Sequence, residues 1–293
     1  MIRLIKVILL IILVGIVYVL ANEYSSYDYL YPAYHIKYDE IQIKDAKSII
    51  IQDYSILLPV KYKGSIDFDT IPEEERKQLF INYMLPAIVI ERDRLFSMLQ
   101  RIDFIENRMI NKRAIRAEDL QFFRKMMQLY DANSIKDLKV KLYPHPVSLV
   151  LAQAILESGW GTSSTFSKAN NPFGIMSFSA DEPRRKFTNP DQTVSYVRSY
   201  DDVSQSVEHY YYFIAKLNSY EKFRKKRWER GSTAVLVKLM KSYHEMTGYS
   251  ALVESIIKTN ELDKYENIAI NKEYFSYRKD YFQLIRSYII DYF

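Results

Sequence analysis

Residues 147–163, VSLVLAQAILESGWGTS, contain a nearly all-apolar run that ends in an acid and a glycine-rich turn. The only polar residues of the run before the acid are Ser148 and Gln153, which predicts a helix buried inside a domain. Gln153 and Glu157 are four residues apart, so they lie on one face of this helix. We therefore expect the Glu157 carboxyl to emerge from a hydrophobic element into a cleft.

A carboxyl in such a place is suited to general-acid chemistry. Burial favours the neutral form of a carboxyl, and a protonated carboxyl can donate its proton to a glycosidic oxygen. The alternative is an acid that only faces solvent at the end of its helix, where the helix dipole disfavours a negative charge. We expect Glu157 to be catalytic.

A loop rich in glycine and asparagine follows from Ser158 to Gly174. Beyond it, the segments Arg184–Thr188 and Thr193–Tyr200 are separated by NPDQ, a pattern typical of a β-hairpin. Asp201 and Asp202 can cap the helix that comes next.

Several motifs in this region resemble a known family. AILESGWGTS at 154–163, NNPFGI at 170–175 and FTNPDQTV at 187–194 are similar to the bacterial glucosaminidases of glycoside hydrolase family 73, and most of all to their Bax-like branch. GYS at 248–250 matches a family stretch except that serine replaces alanine and no threonine follows. The resemblance covers roughly residues 86–262.

The resemblance implies a fold and an activity. The fold would be mainly α, a lysozyme-like α+β architecture with a small β-hairpin lobe. The activity would be that of an endo-β-N-acetylglucosaminidase that cleaves peptidoglycan glycan strands. The rival hypothesis is a non-catalytic cell-wall-binding or scaffold protein that has kept the glycan groove.

Glycoside hydrolysis usually needs a second carboxylate, about 5 to 10 Å from the first. In the family that acid, where present, belongs to the hairpin lobe. Asp181 and Glu182 directly precede the predicted hairpin, and Glu182 is the better candidate. A plain surface acid is the competing interpretation, and the N-acetyl group of the substrate could replace the second carboxylate.

Aromatic and amide side chains near the acid are candidates for sugar contacts, because pyranose rings pack on aromatic faces while their hydroxyls bind polar groups. Core packing is the alternative for each aromatic ring. Tyr249 matches a family tyrosine near the acid. The expected substrate-binding residues are Gln153, Trp160, Asn170, Phe173, Tyr196 and Tyr249.

The N-terminus has the features of an export signal. Arg3 and Lys6 precede an apolar run from Val7 to Ala21, which predicts a signal peptide or a signal anchor over residues 1–21. Such a segment sends the rest of the chain across the membrane. We expect an exported protein of the periplasm or cell envelope, either released or held in the inner membrane by residues 1–21.

Composition limits the other possibilities. The 293 residues carry a formal charge of +5, too small an excess to indicate nucleic acid, and contain no cysteine for a disulfide or a thiolate metal site. The chain has no nucleotide fingerprint or phosphate loop, and its histidines lack metal-ligand spacing, so we expect no metal and no cofactor.

The remaining segments complete the predicted organisation. We expect a linker or extended arm at 22–70, a helical subdomain at 71–142, the catalytic domain at 143–262 and a C-terminal helix at 263–293. Within the subdomain, Pro86 is expected to break or kink a helix.

Overall fold

The computed structural model describes residues 2–29, 34–188, 192–240 and 248–277. The protein is mainly helical, with small sheets, as the sequence predicts. The helices of the described residues are α1 (Ile2–Tyr29), α2 (Glu73–Ile110), α3 (Ala117–Leu129), α4 (Ile135–Leu142), α5 (Val147–Ser158), α6 (Ser164–Ala169), α7 (Val203–Lys216), α8 (Glu221–Trp228), α9 (Thr233–Leu239) and α10 (Tyr249–Thr259).

Eight short strands form two-stranded sheets in the described part of the chain. They are β1 (Tyr34–Ile36), β2 (Asp39–Gln42), β3 (Ile56–Leu57), β4 (Val60–Lys63), β5 (Arg184–Thr188), β6 (Val194–Arg198), β7 (Ala269–Ile270) and β8 (Phe275–Tyr277). β1 pairs antiparallel with β8, β2 parallel with β4, β3 parallel with β7, and β5 antiparallel with β6. Two strands that precede α2, β1 and β3, therefore pair with strands that follow α10.

The β5–β6 pair is the predicted hairpin, with Arg184 opposite Arg198 and Thr188 opposite Val194. The predicted cap of the next helix is also present, because the Asp202 carboxylate accepts the amide of Gln205 at 3.1 Å. This hairpin and α7 therefore follow local signals of the sequence.

Helix α2 is continuous through Pro86, so the predicted break is wrong, while the alternative, a kink, stays a prediction. Every residue from Phe80 to Glu91 is buried in the core. Packing on all sides of this segment outweighs the amide hydrogen bond that proline cannot make. The acids Glu73, Glu74 and Glu75 occupy the first turn, where the helix dipole favours negative charge.

Residues 34–70, expected to lie in a linker or extended arm, contribute to the main core. Leu57, Tyr62 and Phe68 are all fully buried. The Phe68 ring lies 5.4 Å from the Phe80 ring of α2 and 5.7 Å from the Phe166 ring of α6. This segment is therefore packed against the helices that follow it.

Two predictions concern the ends of the chain, where the structure describes only part of the residues. From 263 to 277 the predicted C-terminal helix is replaced by 3₁₀ turns and the strands β7 and β8, and the rest of that prediction lies outside the described residues. Among the residues that the structure describes, no helix is long and apolar enough to span a membrane. The signal peptide or anchor over residues 1–21 stays a prediction.

Candidate active site

Helix α5 carries Glu157 and is fixed at its first turn by a residue from near the C-terminus. The Glu266 carboxylate accepts the backbone amides of Val147 and Ser148, each at 2.9 Å, and also binds the Ser148 hydroxyl. These amides have no partner within the helix, and the helix dipole favours an acid at this end. The helix that positions Glu157 is therefore capped by a distant part of the chain.

The end of α5 is a tight left-handed turn. Gly159 has φ +57°, Trp160 +59° and Gly161 +82°. The Ser158 hydroxyl donates to the Ala154 carbonyl at 2.6 Å and accepts the Gly161 amide at 3.0 Å, which closes the turn. A Cβ atom at Gly161 would lie 2.8 Å from the Phe68 ring, so this position requires glycine for space as well as for backbone conformation.

A directed chain of hydrogen bonds leads to Glu157. The Tyr210 hydroxyl of α7 donates to Oε1 of Gln153, and Nε2 of Gln153 donates to the Tyr249 hydroxyl at 2.9 Å. Tyr249, at the start of α10, in turn makes a side-chain hydrogen bond to the Glu157 carboxyl. Three helices thus converge on one carboxyl through a single line of polar groups.

The phenols near Glu157 are held in their protonated form. Burial, followed by the negative charge of Glu157, raises the pKa of Tyr249. The same two causes, in the same order, raise the pKa of Tyr220. Both groups are therefore neutral, and Tyr249 can act as a hydrogen-bond donor to the carboxyl at any physiological pH.

The position of Gln153 does not suit direct contact with a sugar. Its side chain is fully buried, and both ends of its amide are engaged by tyrosine hydroxyls. In this arrangement Gln153 orients Tyr249, and through it Glu157. Its contact with the substrate stays a prediction that this geometry does not favour.

The asparagine loop after α5 is held together from inside. Asn171 is fully buried, and its side chain binds the amide and the carbonyl of Ile175 and the carbonyl of Arg198, at 2.9 to 3.0 Å. Asn170 has φ +49°, and its amide donates to the carbonyls of Tyr200 and Asp201. Both side chains therefore join the loop to the strand β6 and the start of α7.

The predicted aromatic contacts separate into two groups. Phe173 is 2% exposed and stacks on Tyr210 at a centroid distance of 4.2 Å, so it packs within the protein. Trp160 is partly exposed, with its ring 6.0 Å from that of Phe80. Tyr196 is also partly exposed, and the Arg184 guanidinium lies 4.1 Å from its ring centroid. Of these three, Trp160 and Tyr196 keep a face that a sugar could use.

Glu182 lies just before β5 in a charged setting. Its carboxylate forms an ion pair with Arg198 of β6 and accepts the Ser177 hydroxyl at 2.9 Å. Partial burial acts to raise the pKa of Glu182, but the hydrogen bonds from Arg198 and Ser177 outweigh it and lower the pKa. Glu182 is therefore ionised at neutral pH, as a base or an electrostatic stabiliser would need to be.

Residues 133–262 match the family model of glucosaminidases, described as mannosyl-glycoprotein endo-beta-N-acetylglucosaminidase. The resemblance to the glucosaminidase family is confirmed. The matched glucosaminidase segment includes Glu157, its partners Gln153, Tyr210 and Tyr249, and Glu182.

Individual relatives are more distant. The chain is 30% identical over 105 residues to Protein bax of Escherichia coli K12, and the match covers 36% of each protein, so it spans about a third of that relative. A peptidoglycan hydrolase from Sphingomonas sp. A1 is 22% identical over 47% of this chain and 92% of its own, with a TM-score of 0.37. The glycoside hydrolase domain of FlgJ from Salmonella typhimurium is 21% identical over 46% of this chain and 88% of its own, with a TM-score of 0.34.

Sequence reasoning missed two tyrosines of the glucosaminidase segment. Tyr210 and Tyr220 are not among the predicted site residues, yet Tyr210 donates a hydrogen bond to Gln153, and the charge of Glu157, after burial, raises the pKa of Tyr220. The helical spacing of Val203, Val207 and Tyr210 does indicate a buried face. No local signal indicates that this face meets Gln153, which is 57 residues away.

Proposed function

We propose that this protein is an exported peptidoglycan hydrolase of the endo-β-N-acetylglucosaminidase type, with Glu157 as its general acid. The observation that carries the proposal is the position of Glu157. It lies in the last turn of a buried helix, within the segment that matches the glucosaminidase family model, and makes a hydrogen bond with the hydroxyl of a neutral tyrosine. The family match supports a glycoside hydrolase that acts on glycans containing N-acetylglucosamine.

The proposed reaction begins with proton transfer. The protonated Glu157 carboxyl donates to the glycosidic oxygen as the bond from that oxygen to the anomeric carbon breaks. Tyr249 keeps its own proton and fixes the direction of the carboxyl. The leaving sugar departs as an alcohol, and Glu157 is left as a carboxylate.

Two routes can supply the nucleophile. In the first, the ionised Glu182 carboxylate activates a water molecule or stabilises positive charge on the sugar ring. In the second, the N-acetyl oxygen of the substrate attacks the anomeric carbon, and water opens the resulting ring. The Arg198 ion pair supports an electrostatic role for Glu182, because it keeps the carboxylate charged. Trp160 and Tyr196 would supply the apolar faces for the sugar rings.

Zymography of the purified protein in a gel that contains peptidoglycan tests the activity. A clear band from the wild type that disappears in Glu157→Gln supports the proposal. The matched control is Glu261→Gln, because the side chain of Glu261 is 80% exposed and the chemical change is the same. A protein that binds sacculi without clearing them would favour the scaffold hypothesis.

The bond that is cut can be read from the products. Mass spectrometry of released muropeptides identifies the sugar at the new reducing end. N-acetylglucosamine there supports the glucosaminidase assignment, whereas N-acetylmuramic acid would indicate a muramidase and an anhydro sugar a lyase.

The export part of the proposal rests on Arg3, Lys6 and the apolar run that follows them. A reporter enzyme that functions only outside the cytoplasm, fused after Phe293, should be active. Activity of a cytoplasm-specific reporter at the same position would contradict export and the wall-hydrolase proposal with it.

A further inference from the structure

A cavity of about 650 Å³, which we call the basal cavity, lies where α5 begins. Residues 143–146, which lead into α5, line it together with parts of α2, the end of α8 and residues 266–270. Glu157 is in the last turn of α5, roughly 15 Å along the helix axis from Val147. Glu157, Gln153 and Tyr249 are not among the described residues that line the cavity. The basal cavity therefore lies at the opposite end of α5 from the candidate acid.

The charges of the cavity wall are not balanced. Its two acids already have partners, because Asp93 forms an ion pair with Arg92 at 2.8 Å and the Glu266 carboxylate accepts the amides at the start of α5. The cavity is lined by three further cations, Arg227, Arg230 and Lys272. Within the described parts of the chain, none of these three forms an ion pair. The wall therefore carries positive charge that the protein does not neutralise, and it attracts an anion.

Arg227 differs from the other two cations because it is buried, with only 2% of its surface exposed. Its guanidinium donates to Nδ1 of His145 and to the carbonyl of Val140 at 2.6 Å. Burial, followed by the charge of Arg224, lowers the pKa of Arg227 to about 9, so the group is still charged at neutral pH. A buried cation without a counter-charge is costly, and an anion in the cavity would compensate it.

Two hydrogen-bond donors beside the cavity lack an acceptor. Arginine can only donate, so Nδ1 of His145 accepts from Arg227 and the imidazole proton is on Nε2. Burial, followed by the charges of Arg227 and Arg224, lowers the pKa of His145 well below its usual value and keeps the ring neutral. In the part of the chain that the structure describes, Nε2 of His145 and Nε of Arg227 have no hydrogen-bond partner. Both side chains line the cavity, so a ligand that accepts hydrogen bonds could pair with them.

Much of the remaining wall is apolar. Phe96 of α2, Tyr143 and Phe275 of β8 line the cavity and are only partly buried, so they contribute aromatic surface. Ile268 and Ile270 add aliphatic surface. The volume is in the usual range of small-molecule sites, about 300 to 1,000 Å³. A ligand that fills this cavity therefore needs an apolar body as well as a negative charge.

We propose that the basal cavity is a binding site for a small monocarboxylate with an apolar body, such as a short aliphatic or aromatic acid. The carboxylate pairs with Arg227, because a planar carboxylate matches the donor fork of a guanidinium, and with Nε2 of His145. Arg230 and Lys272, which are both exposed, add charge at the mouth of the cavity. A single carboxylate fits better than a more highly charged anion, because only one of the three cations is buried.

Calorimetry of the full chain with three probes separates the charge from the apolar body. Hydrocinnamate has both, hydrocinnamamide has the same body without the charge, and acetate has the charge without the body. We expect hydrocinnamate to bind at least about tenfold more tightly than either of the others, and less tightly as salt is raised. Absence of hydrocinnamate binding, or equal affinity for the carboxylate and the amide, would overturn the proposal. The outcome does not depend on the proposed glycan hydrolysis.

A pair of double variants identifies the place of binding. Arg230→Gln/Lys272→Gln removes the two exposed cations of the cavity, and the control Arg113→Gln/Lys136→Gln removes the same charge at exposed positions outside it. We expect hydrocinnamate to bind roughly three- to tenfold more weakly to the cavity variant and normally to the control, because each exposed charge contact contributes modestly. Equal weakening in the two variants would show that the net charge of the protein, and not the basal cavity, attracts the ligand.

Arg227→Gln tests the buried cation itself. The preference for hydrocinnamate over hydrocinnamamide should fall from at least about tenfold to about twofold or less, because the charged partner of the carboxylate is gone. A purely structural role of Arg227 would leave this ratio unchanged. Thermal melting shows whether the variant folds, and if it does not, the exposed double variant decides the question. A folded Arg227→Gln protein that keeps the full preference would refute the assignment.

Discussion

Nε2 of Gln153 donates to the Tyr249 hydroxyl at 2.9 Å, and this bond sets the direction of the polar groups around Glu157. Because the Tyr249 oxygen accepts from the amide, its own proton is available to the Glu157 carboxyl. The Gln153 amide cannot turn over without losing its bond from Tyr210. The orientation of a fully buried amide thus determines which group faces the candidate acid.

Tyr249→Phe should slow turnover by about tenfold or more while the protein stays folded. The variant removes the hydroxyl that orients Glu157 and leaves Gln153 Nε2 with one partner fewer, at a cost of about 1 to 3 kcal/mol in the free energy of unfolding. Steady-state rates on sacculi and thermal melting check both effects. The control is Tyr274→Phe, which loses a hydroxyl bond to the exposed Asp39 carboxylate at 2.8 Å. Equal rate losses in the two variants would contradict a specific role for Tyr249.

Gln153→Leu should destabilise the protein more than a typical surface change does. It removes one hydrogen bond from each of two buried hydroxyls, which together should lower the free energy of unfolding by about 2 to 4 kcal/mol. Chemical denaturation measures this loss, and Gln128→Leu, at an exposed position of α3, is the matched control. Normal stability of Gln153→Leu combined with a raised KM would instead favour a direct sugar contact.

Asn171→Ala should lower stability and activity together. The buried side chain makes three hydrogen bonds to backbone groups, so its removal should cost about 2 to 4 kcal/mol in the free energy of unfolding. Melting curves and rates are compared with those of Asn133→Ala, an exposed asparagine. A wild-type melting temperature beside a large rate loss would show that Asn171 binds the substrate instead.

The free energy of unfolding should fall as the pH drops from about 6.5 to about 4, in part because of His209. Burial and the charge of Arg198 lower the pKa of this imidazole from 6.5 to about 4, against the opposing effect of Glu182. Since the unfolded chain takes up the proton first, acid favours unfolding across this window. His209→Gln should make the dependence shallower. The pKa of His145 is also lowered by burial, but that residue is present in both proteins and cancels in the comparison. Parallel curves for the two proteins would refute the assignment to His209.

Gly161→Ala should be strongly destabilising, and more so than Gly174→Ala. Both glycines have positive φ, +82° and +63°, so alanine is strained at either position by about 1 kcal/mol or more. Only at Gly161 would the new Cβ meet another side chain, at 2.8 Å from Phe68, whereas Gly174 has open space. The difference between the two melting temperatures therefore measures the contact with Phe68. Equal losses would mean that backbone strain alone decides the effect.

Local patterns were enough to predict helix α5, which carries Glu157 in its last turn, and the hairpin that follows it. Residues that are close in the sequence determine both elements. The helix is indicated by an apolar run with a glycine turn, and the hairpin by two strand-like segments around NPDQ. The motifs around them also indicated the family. These are the parts of the fold in which sequence neighbours are also spatial neighbours.

The parts that the sequence did not predict depend on distant contacts. Pro86 favours a break in α2, but packing around Phe80–Glu91 keeps the helix continuous. Residues 34–70 have weak strand signals of their own and become ordered by packing against helices. Tyr210 of α7 meets Gln153 of α5 only through the tertiary fold. In each case a contact between residues that are distant in the sequence decides the structure. No periodic pattern in the sequence indicates that contact.

The cap that Glu266 forms on α5 matters for the design of truncated forms of this protein. The family match ends at residue 262, and Phe68 lies well before its start at 133. A fragment trimmed to the matched region would therefore lose the carboxylate at one end of α5 and the aromatic ring packed on the turn at the other. The segment in which ancestry can be detected is therefore shorter than the segment whose contacts hold α5 and Glu157 in place.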